Sequence, residues 1–185
     1  MATEHIDAGA LDERVLVLAL QETAENVWRW VEIRRTWARV ERSTRRNNWS
    51  VHGIGTTGVT LTLRRQDITL GHALQWRGQH CFIASLLPFG RNHLKVEAAL
   101  VAVAECVDKE SGLQFPGNVT EKYLGHEERE PYDVNVLRHV LVTPKAIALR
   151  PGHLVEVSGA SWPIRVAHTL DPWHNEYELE REVDL

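Results

Sequence analysis

Apolar and polar residues alternate along most of this chain, and turn-forming residues interrupt the alternation at intervals of about 8–12 residues. A period of two lays successive side chains on opposite faces of a strand, whereas a helix would scatter them. Val15, Val17 and Ala19 interleave with Leu16, Leu18 and Leu20, an apolar run of strand length covered on both faces. Trp28 and Trp30, then Trp37-Ala38-Arg39-Val40-Glu41, then Val59-Thr60-Leu61-Thr62-Leu63-Arg64 continue the theme, as do 79–87 and 94–103. Gly53, Gly55, Gly58, Gly71, Arg77-Gly78 and Pro88-Phe89-Gly90 separate the runs. Near the end, Glu176, Glu178, Glu180 and Glu182 share one face and Tyr177, Leu179, Arg181 and Val183 the other. The first face reads as acidic and solvated. The pattern predicts an all-β protein: a small antiparallel β-barrel or sandwich, with a second β-meander subdomain repeating a similar layout. The first dozen residues and 92–105, rich in Ala98, Ala99, Ala102 and Ala104, leave room for a helix.

The predicted organisation is a first barrel over 1–107, a linker over 108–117 and a second barrel-like subdomain over 118–185. Lys109-Glu110-Ser111-Gly112 and Pro116-Gly117 mark the linker, and 125–132 reads as a polar surface loop. The halves echo one another. Ile68-Thr69-Leu70-Gly71-His72 resembles Ile147-Ala148-Leu149-Arg150-Pro151-Gly152-His153 with two residues inserted. Gly71, His72, Gly78 and Ile83 then face Gly152, His153, Gly159 and Ile164, 81 positions on. By the ends the offset grows to 83, with Leu94 and Val96 facing Tyr177 and Leu179. One small meander used twice accounts for this, and so do the turn glycines and alternation that any two β-meanders share.

Charge is uneven. The net charge of -4 divides into 13 Lys and Arg against 11 Asp and Glu over 1–105, and 8 against 14 over 106–185. Arg34, Arg35, Arg39, Arg42, Arg45 and Arg46 lie within thirteen positions. A general nucleic-acid binder shows a broader basic excess; one basic element on an acidic body implies a local electrostatic job. No stretch approaches the roughly 20 apolar residues of a spanning helix, so no membrane partner is expected. The polar, acidic start carries no signal-peptide pattern. Cys81 and Cys106 form no metal framework and read as reduced core thiols in a cytosolic setting.

Chemistry-bearing motifs are few. His168, Asp171 and His174 flank Pro172-Trp173 and form the best local cluster. They lack the three or four converging ligands of a zinc site, and a polar turn is the simpler account. No nucleophile elbow, phosphate loop or dinucleotide fingerprint occurs. We expect no enzyme, no catalytic residue, no metal and no cofactor. The segment 43–58 reads as a polar loop much longer than a hairpin needs, and loops of that length carry function. Arg42, Arg45 and Arg46 make it basic, suited to salt-sensitive phosphate contacts. Trp49 and Trp173 lie in loops as interface anchors, with Arg34 and Arg35 as further interface candidates; Trp28, Trp30, Trp37 and Trp76 read mostly as core.

The order of these elements resembles the head–tail joining proteins of long-tailed bacteriophages, also called head-completion or stopper proteins. Trp37-Ala38-x-Val40-Glu41 and the step Val59 to Arg64-Arg65, Ile68, Trp76-x-Gly78, Ile83 carry the resemblance, over residues 11–103. The resemblance implies a small β-barrel that assembles with itself into a ring, twelvefold or sixfold, in the virion neck after synthesis in the host cytoplasm. It implies neighbours: a portal or adaptor protein on one side, tail terminator or tail tube proteins on the other. It also implies that 43–58 projects into a channel holding packaged double-stranded DNA, with Arg42, Arg45 and Arg46 contacting it without sequence preference. A second half goes beyond the usual single domain.

Three other readings remain: another neck component, such as an adaptor or tail terminator; an oligonucleotide-binding type barrel, which wants exposed aromatic platforms beside a basic groove; and an enzyme using His168, Asp171 and His174.

Overall fold

The computed structural model describes residues 8–42, 56–129 and 132–180, with 122–129 and 132–137 as backbone. After a short 3-10 turn at Ala8–Ala10 there are twelve strands. They are β1 (Glu13–Ala24), β2 (Val27–Arg42), β3 (Thr57–Arg64), β4 (Ala73–Trp76), β5 (Gln79–Phe89), β6 (His93–Val101), β7 (Ala104–Asp108), β8 (Gln114–Arg129), β9 (Tyr132–Pro144), β10 (Leu154–Val157), β11 (Ala160–His168) and β12 (His174–Leu179). The protein is all-β, as the alternation predicts. The 92–105 segment is β6 and the start of β7, not a helix: Ala98 and Ala99 are small strand residues facing Val59 and Gly58. Among the described residues no helix is long and apolar enough to cross a membrane.

The chain forms two compact units. One is Met1–Gln21 with Trp30–Ala102; the other is Glu22–Arg29 with Val103–Leu185. In the first, the pairing order β1-β4-β5-β6-β3-β2 closes through β1–β2, giving a six-stranded barrel. In the second, β7-β10-β11-β12-β9-β8 closes through β7–β8. Each strand of one has its counterpart six strands later, so a single topology is used twice. Closure leaves the hydrogen-bonding edges of both sheets paired.

The repetition extends to single residues. Arg77-Gly78 and Ser158-Gly159 are two-residue hairpin turns with positive φ at both positions (50° and 77°, 51° and 85°), the type I′ geometry that suits strand twist. His72 N–H donates to Thr69 C=O at 3.1 Å, and His153 N–H to Arg150 C=O at 3.2 Å. A bulge follows Ile83 in β5 and Ile164 in β11, where the register slips by one residue. The register corrects one expectation. Val96 pairs with Leu61, and Tyr177 pairs with Leu141; Leu94 pairs with Leu63, and Asn175 with Thr143. The counterparts of Leu94 and Val96 are therefore Asn175 and Tyr177, and the offset stays at 81.

The expected linker is also corrected. Residues 108–117 hold the end of β7, a tight turn and the start of β8, all part of the second barrel. Gly112 N–H donates to Asp108 C=O at 2.8 Å to close that turn. Pro116 and Gly117 lie within β8, paired with Glu105 and Ala104. Gly117 is there because a Cβ would stand 2.6 Å from Leu141 Cδ1 and 2.9 Å from Cys106 Sγ. Its counterpart is Ala38, fully buried and paired with Leu63. The 125–132 segment is the outer part of a β8–β9 hairpin, paired as far as Arg129 and Tyr132.

The first core is apolar: Val15, Val17, Leu61, Leu63, Leu74, Ile83 and Val96 are buried around Trp76. Burying such a side chain contributes roughly 1.5–3 kcal/mol. The second core is more polar. Thr143, Asn175 and Tyr177 stand where the first has Leu63, Leu94 and Val96, and all three donate to the Ile147 carbonyl, at 3.4, 2.8 and 2.9 Å. Leu149 N–H donates to Tyr177 Oη at 3.0 Å, so the buried phenol is satisfied.

Candidate functional site

Strand β2 carries most of the arginine cluster, and its alternation divides the cluster between two faces. Ala38 points into the first barrel; Arg35, Trp37, Arg39 and Glu41 point out. Trp37 was expected in the core but is 57% exposed, because Ala38 takes the inward position beside it. An open cleft of about 500 Å³ surrounds this indole, lined by Leu11, Arg35, Thr36, Trp37 and Arg64. Glu32 holds Arg35, with Nη2 to Oε2 at 3.2 Å. Gln66 Nε2 donates to Thr36 Oγ1 at 3.2 Å, and its Oε1 accepts from Arg34 Nη1 at 3.3 Å. Thus Arg34 and Arg35, the interface candidates on β2, are both tethered. Among the described residues Arg64 has no ion-pair partner. The cleft offers apolar surface beside guanidinium groups, a combination that suits a carboxylate or phosphate attached to an apolar group.

Arg42 ends β2 with its guanidinium 4.8 Å from the centre of the Trp76 ring; Arg77 lies 5.0 Å from the same ring. Trp76 Nε1 and Arg77 Nε both donate to Glu13 Oε2, at 3.0 and 3.2 Å. Hydrogen bonds from Arg77 and then Trp76 hold the Glu13 carboxyl below the usual range. The first arginine of the expected DNA-facing set is thus packed on the barrel's own tryptophan. Arg45, Arg46 and Trp49 lie outside the described residues, as does 43–55.

In the second barrel, β2's counterpart, β8, runs on past the corresponding point to Arg129. Arg42 pairs with Val59, and Glu121 with His139. Beyond Arg42 comes the basic stretch of sequence; beyond Glu121 comes the outer part of the β8–β9 hairpin, whose sequence contains Glu127, Glu128, Glu130 and Asp133.

The loop bearing Trp173 is tightly held. Asp171 Oδ1 accepts from the N–H groups of Trp173 and His174, at 2.7 and 2.8 Å. Burial pushes this carboxyl up, but those two donors, with His174 and Lys145 nearby, carry it below its ordinary value. Lys145 Nζ donates to Thr169 C=O at 2.6 Å and to Asn175 Oδ1 at 3.1 Å, and its N–H donates to Trp173 C=O at 2.8 Å. On this clamped loop Trp173 is 37% exposed and Leu170 is 99% exposed.

His168, Asp171 and His174 do not converge. His168 Nε2 turns to Glu178 Oε1 at 2.9 Å, and His174 Nδ1 stays 3.7 Å from Asp171. Glu178 also meets Arg138 Nε at 3.6 Å and its side chain is only 12% exposed. The expected solvated acidic face is therefore partly covered at its centre.

One cluster was missed by sequence reasoning. Asp108, Glu110 and His153 bring ligand-type atoms within 4.8 Å of one another. His153 Nδ1 lies 3.1 and 3.2 Å from the Asp108 oxygens, and Ser111 Oγ donates to the same carboxylate. Glu110 accepts from Leu154 N–H at 2.9 and 3.1 Å. One imidazole and two carboxylates are a donor set that divalent cations use, but here each group is engaged in fastening the β7–β8 turn to β10. The signal was hidden because only the β7–β10 pairing brings 108 to 153.

Comparison of the chain with protein-family models, with curated proteins and with solved structures gives no match.

Proposed function

We propose that this protein is a structural component of a phage neck, forming a ring between the portal or adaptor and the tail and lining or closing the DNA channel. The observation that carries the reading is the closed barrel used twice, with a basic stretch of sequence joining β2 to β3 in the first copy. The stretch of sequence between β2 and β3 contains Arg45 and Arg46 and no acidic residue, while Thr57 and Gly58, expected in the loop, open β3. Duplex DNA presents one negative charge per roughly 1.7 Å of axis. A few arginines per subunit, multiplied around a ring, meet that charge without a basic protein. No base reading is needed, so no recognition helix is required.

Electron microscopy of the protein with and without the cognate portal tests the reading. Rings on the portal are expected; solitary molecules in both samples would end it. Because Arg42 packs on Trp76, its removal mixes two effects, and Arg45→Ala with Arg46→Ala is the cleaner change. That pair is expected to leave folding intact and to weaken retention of packaged DNA. Arg42→Ala alone is expected to cost about 0.5–1 kcal/mol of stability through the lost cation–π contact.

A second reading draws on Trp37, an exposed aromatic beside Arg35 and Arg64 on an outer sheet face. That arrangement suits a barrel that binds single-stranded nucleic acid by stacking. Salt-sensitive binding of an oligonucleotide by wild type, lost in Trp37→Ala, would favour it.

A further inference from the structure

We propose that the 169–173 loop of one copy seats in the Trp37 cleft of a second copy, with Leu170 against Leu11 and Trp37 and Asp171 facing Arg64. The inference rests on the ring reading above and names the contact that would build the ring.

Two surfaces carry it. The first is the loop. Leu170 is 99% exposed, yet the backbone beneath it is fixed by Asp171, Lys145 and Asn175. A side chain presented on a rigid loop loses little freedom on docking. Asp171 uses Oδ1 for the two backbone N–H groups, and among the described residues Oδ2 takes no hydrogen bond. The knob is therefore an apolar side chain beside an open carboxylate oxygen.

The second surface is the cleft, which has the opposite character. Leu11 and Trp37 supply apolar wall, and Arg35 and Arg64 supply positive charge. Glu32 already engages Arg35, which leaves Arg64 for an incoming carboxylate. A nucleic-acid strand would want several stacking surfaces along a groove; the lining has one indole. Charge across the whole chain agrees, with the basic excess in 1–105 and the acidic excess in 106–185, so unlike halves of two copies attract. Such a contact joins different surfaces on the two partners, and repeating it makes a closed ring or an open chain.

Disulfide trapping between separate preparations tests this. Leu170→Cys protein is mixed with Arg35→Cys protein and oxidised. Cys81 and Cys106 are fully buried and do not compete. A linked pair is expected, well above the yield with Gln79→Cys, an exposed control on the same barrel. Adding Arg64→Glu to the Arg35→Cys protein is expected to lower the yield about tenfold, and Arg64→Lys to preserve it. Circular dichroism checks that these variants fold. A yield no higher than the control, or one insensitive to Arg64→Glu, overturns the proposal. So does a yield at the control level together with binding of a single-stranded oligonucleotide by the wild-type protein that Trp37→Ala abolishes, which would give the cleft to nucleic acid.

Electron microscopy of a chain carrying both cysteines separates the two ideas. Closed rings support the contact and the neck reading together. Open chains support the contact and remove the ring. Monomers with an internal disulfide overturn the contact.

Discussion

Asp108 stands in the second barrel where Val17 stands in the first. Val17 pairs with Leu74 on β4, and Asp108 pairs with Val155, the counterpart of Leu74, on β10. Both side chains are buried. An apolar site has thus been given a carboxylate, and the surroundings have changed with it: Ser111 and His153 both point hydrogen-bonding atoms at it.

Asp108→Val therefore fits sterically but leaves those partners unmatched. It is expected to destabilise the protein by about 1–3 kcal/mol, with the smaller figure favoured because His153 is partly exposed and can rehydrate. Burial pushes the Asp108 carboxyl up, but hydrogen bonds led by Ser111 and the nearby His153 bring it below its ordinary value. Its stabilisation is then complete above the unfolded value and lost as pH falls through the lower folded value. Urea titrations of both proteins across the acid range check this: the difference between them should shrink toward low pH.

His80 gives a second acid dependence of distinct origin. It lies against Trp30, ring centres 5.2 Å apart, and burial lowers its pKa from 6.5 to about 4. The unfolded chain then takes up the proton more readily than the folded one. Stability is complete above pH 6.5 and falls as pH drops toward 4, by on the order of 3 kcal/mol. A neutral residue in place of His80, such as Gln, is expected to flatten the loss in that window, measured as the midpoint of thermal unfolding against pH.

Gly117 is required by space alone. Gly117→Ala is expected to cost about 1–3 kcal/mol through overpacking against Leu141 and Cys106. Trimming Leu141 to Val removes the nearest atom and should recover part of the loss. Chemical denaturation of the single and double variants measures both. Equal stability of Gly117→Ala and wild type would contradict the packing described.

Both thiols should be inert in the folded protein. Burial raises Cys81 to about 11 and Cys106 to about 12, so neither offers thiolate at neutral pH. A thiol reagent at pH 8 is expected to label neither until denaturant is added, when both react.

The strands were legible because burial imposes a period of two, and the turn at Gly78 and Gly159 because positive φ selects glycine. Trp37 shows where that legibility stopped. Its phase relative to Ala38 already placed it outside, but size and apolarity favoured the core reading. Pro116-Gly117 misled in the opposite sense. The pair has the composition of a turn, yet Gly117 answers to a side chain from β9, distant in sequence. The Asp108 cluster was invisible for the same reason, since its members meet only through strand pairing. The offset near Leu94 was misjudged because Tyr177 and Asn175 differ chemically from Val96 and Leu94 while holding their places. Of the candidate loop residues, Arg42 alone is described, and its partner Trp76 comes from another strand.

The tip of the β1–β2 hairpin belongs to the second compact unit: Val27 pairs with Gln114, Asn26 C=O accepts from Gln114 N–H at 2.8 Å, and Arg29 is ion-paired with Glu105. Scissors placed between 102 and 103 would consequently not yield two self-sufficient pieces. The second unit borrows Glu22–Arg29 from the front of the chain, and its own sequence can drift only while that borrowed tip still fits.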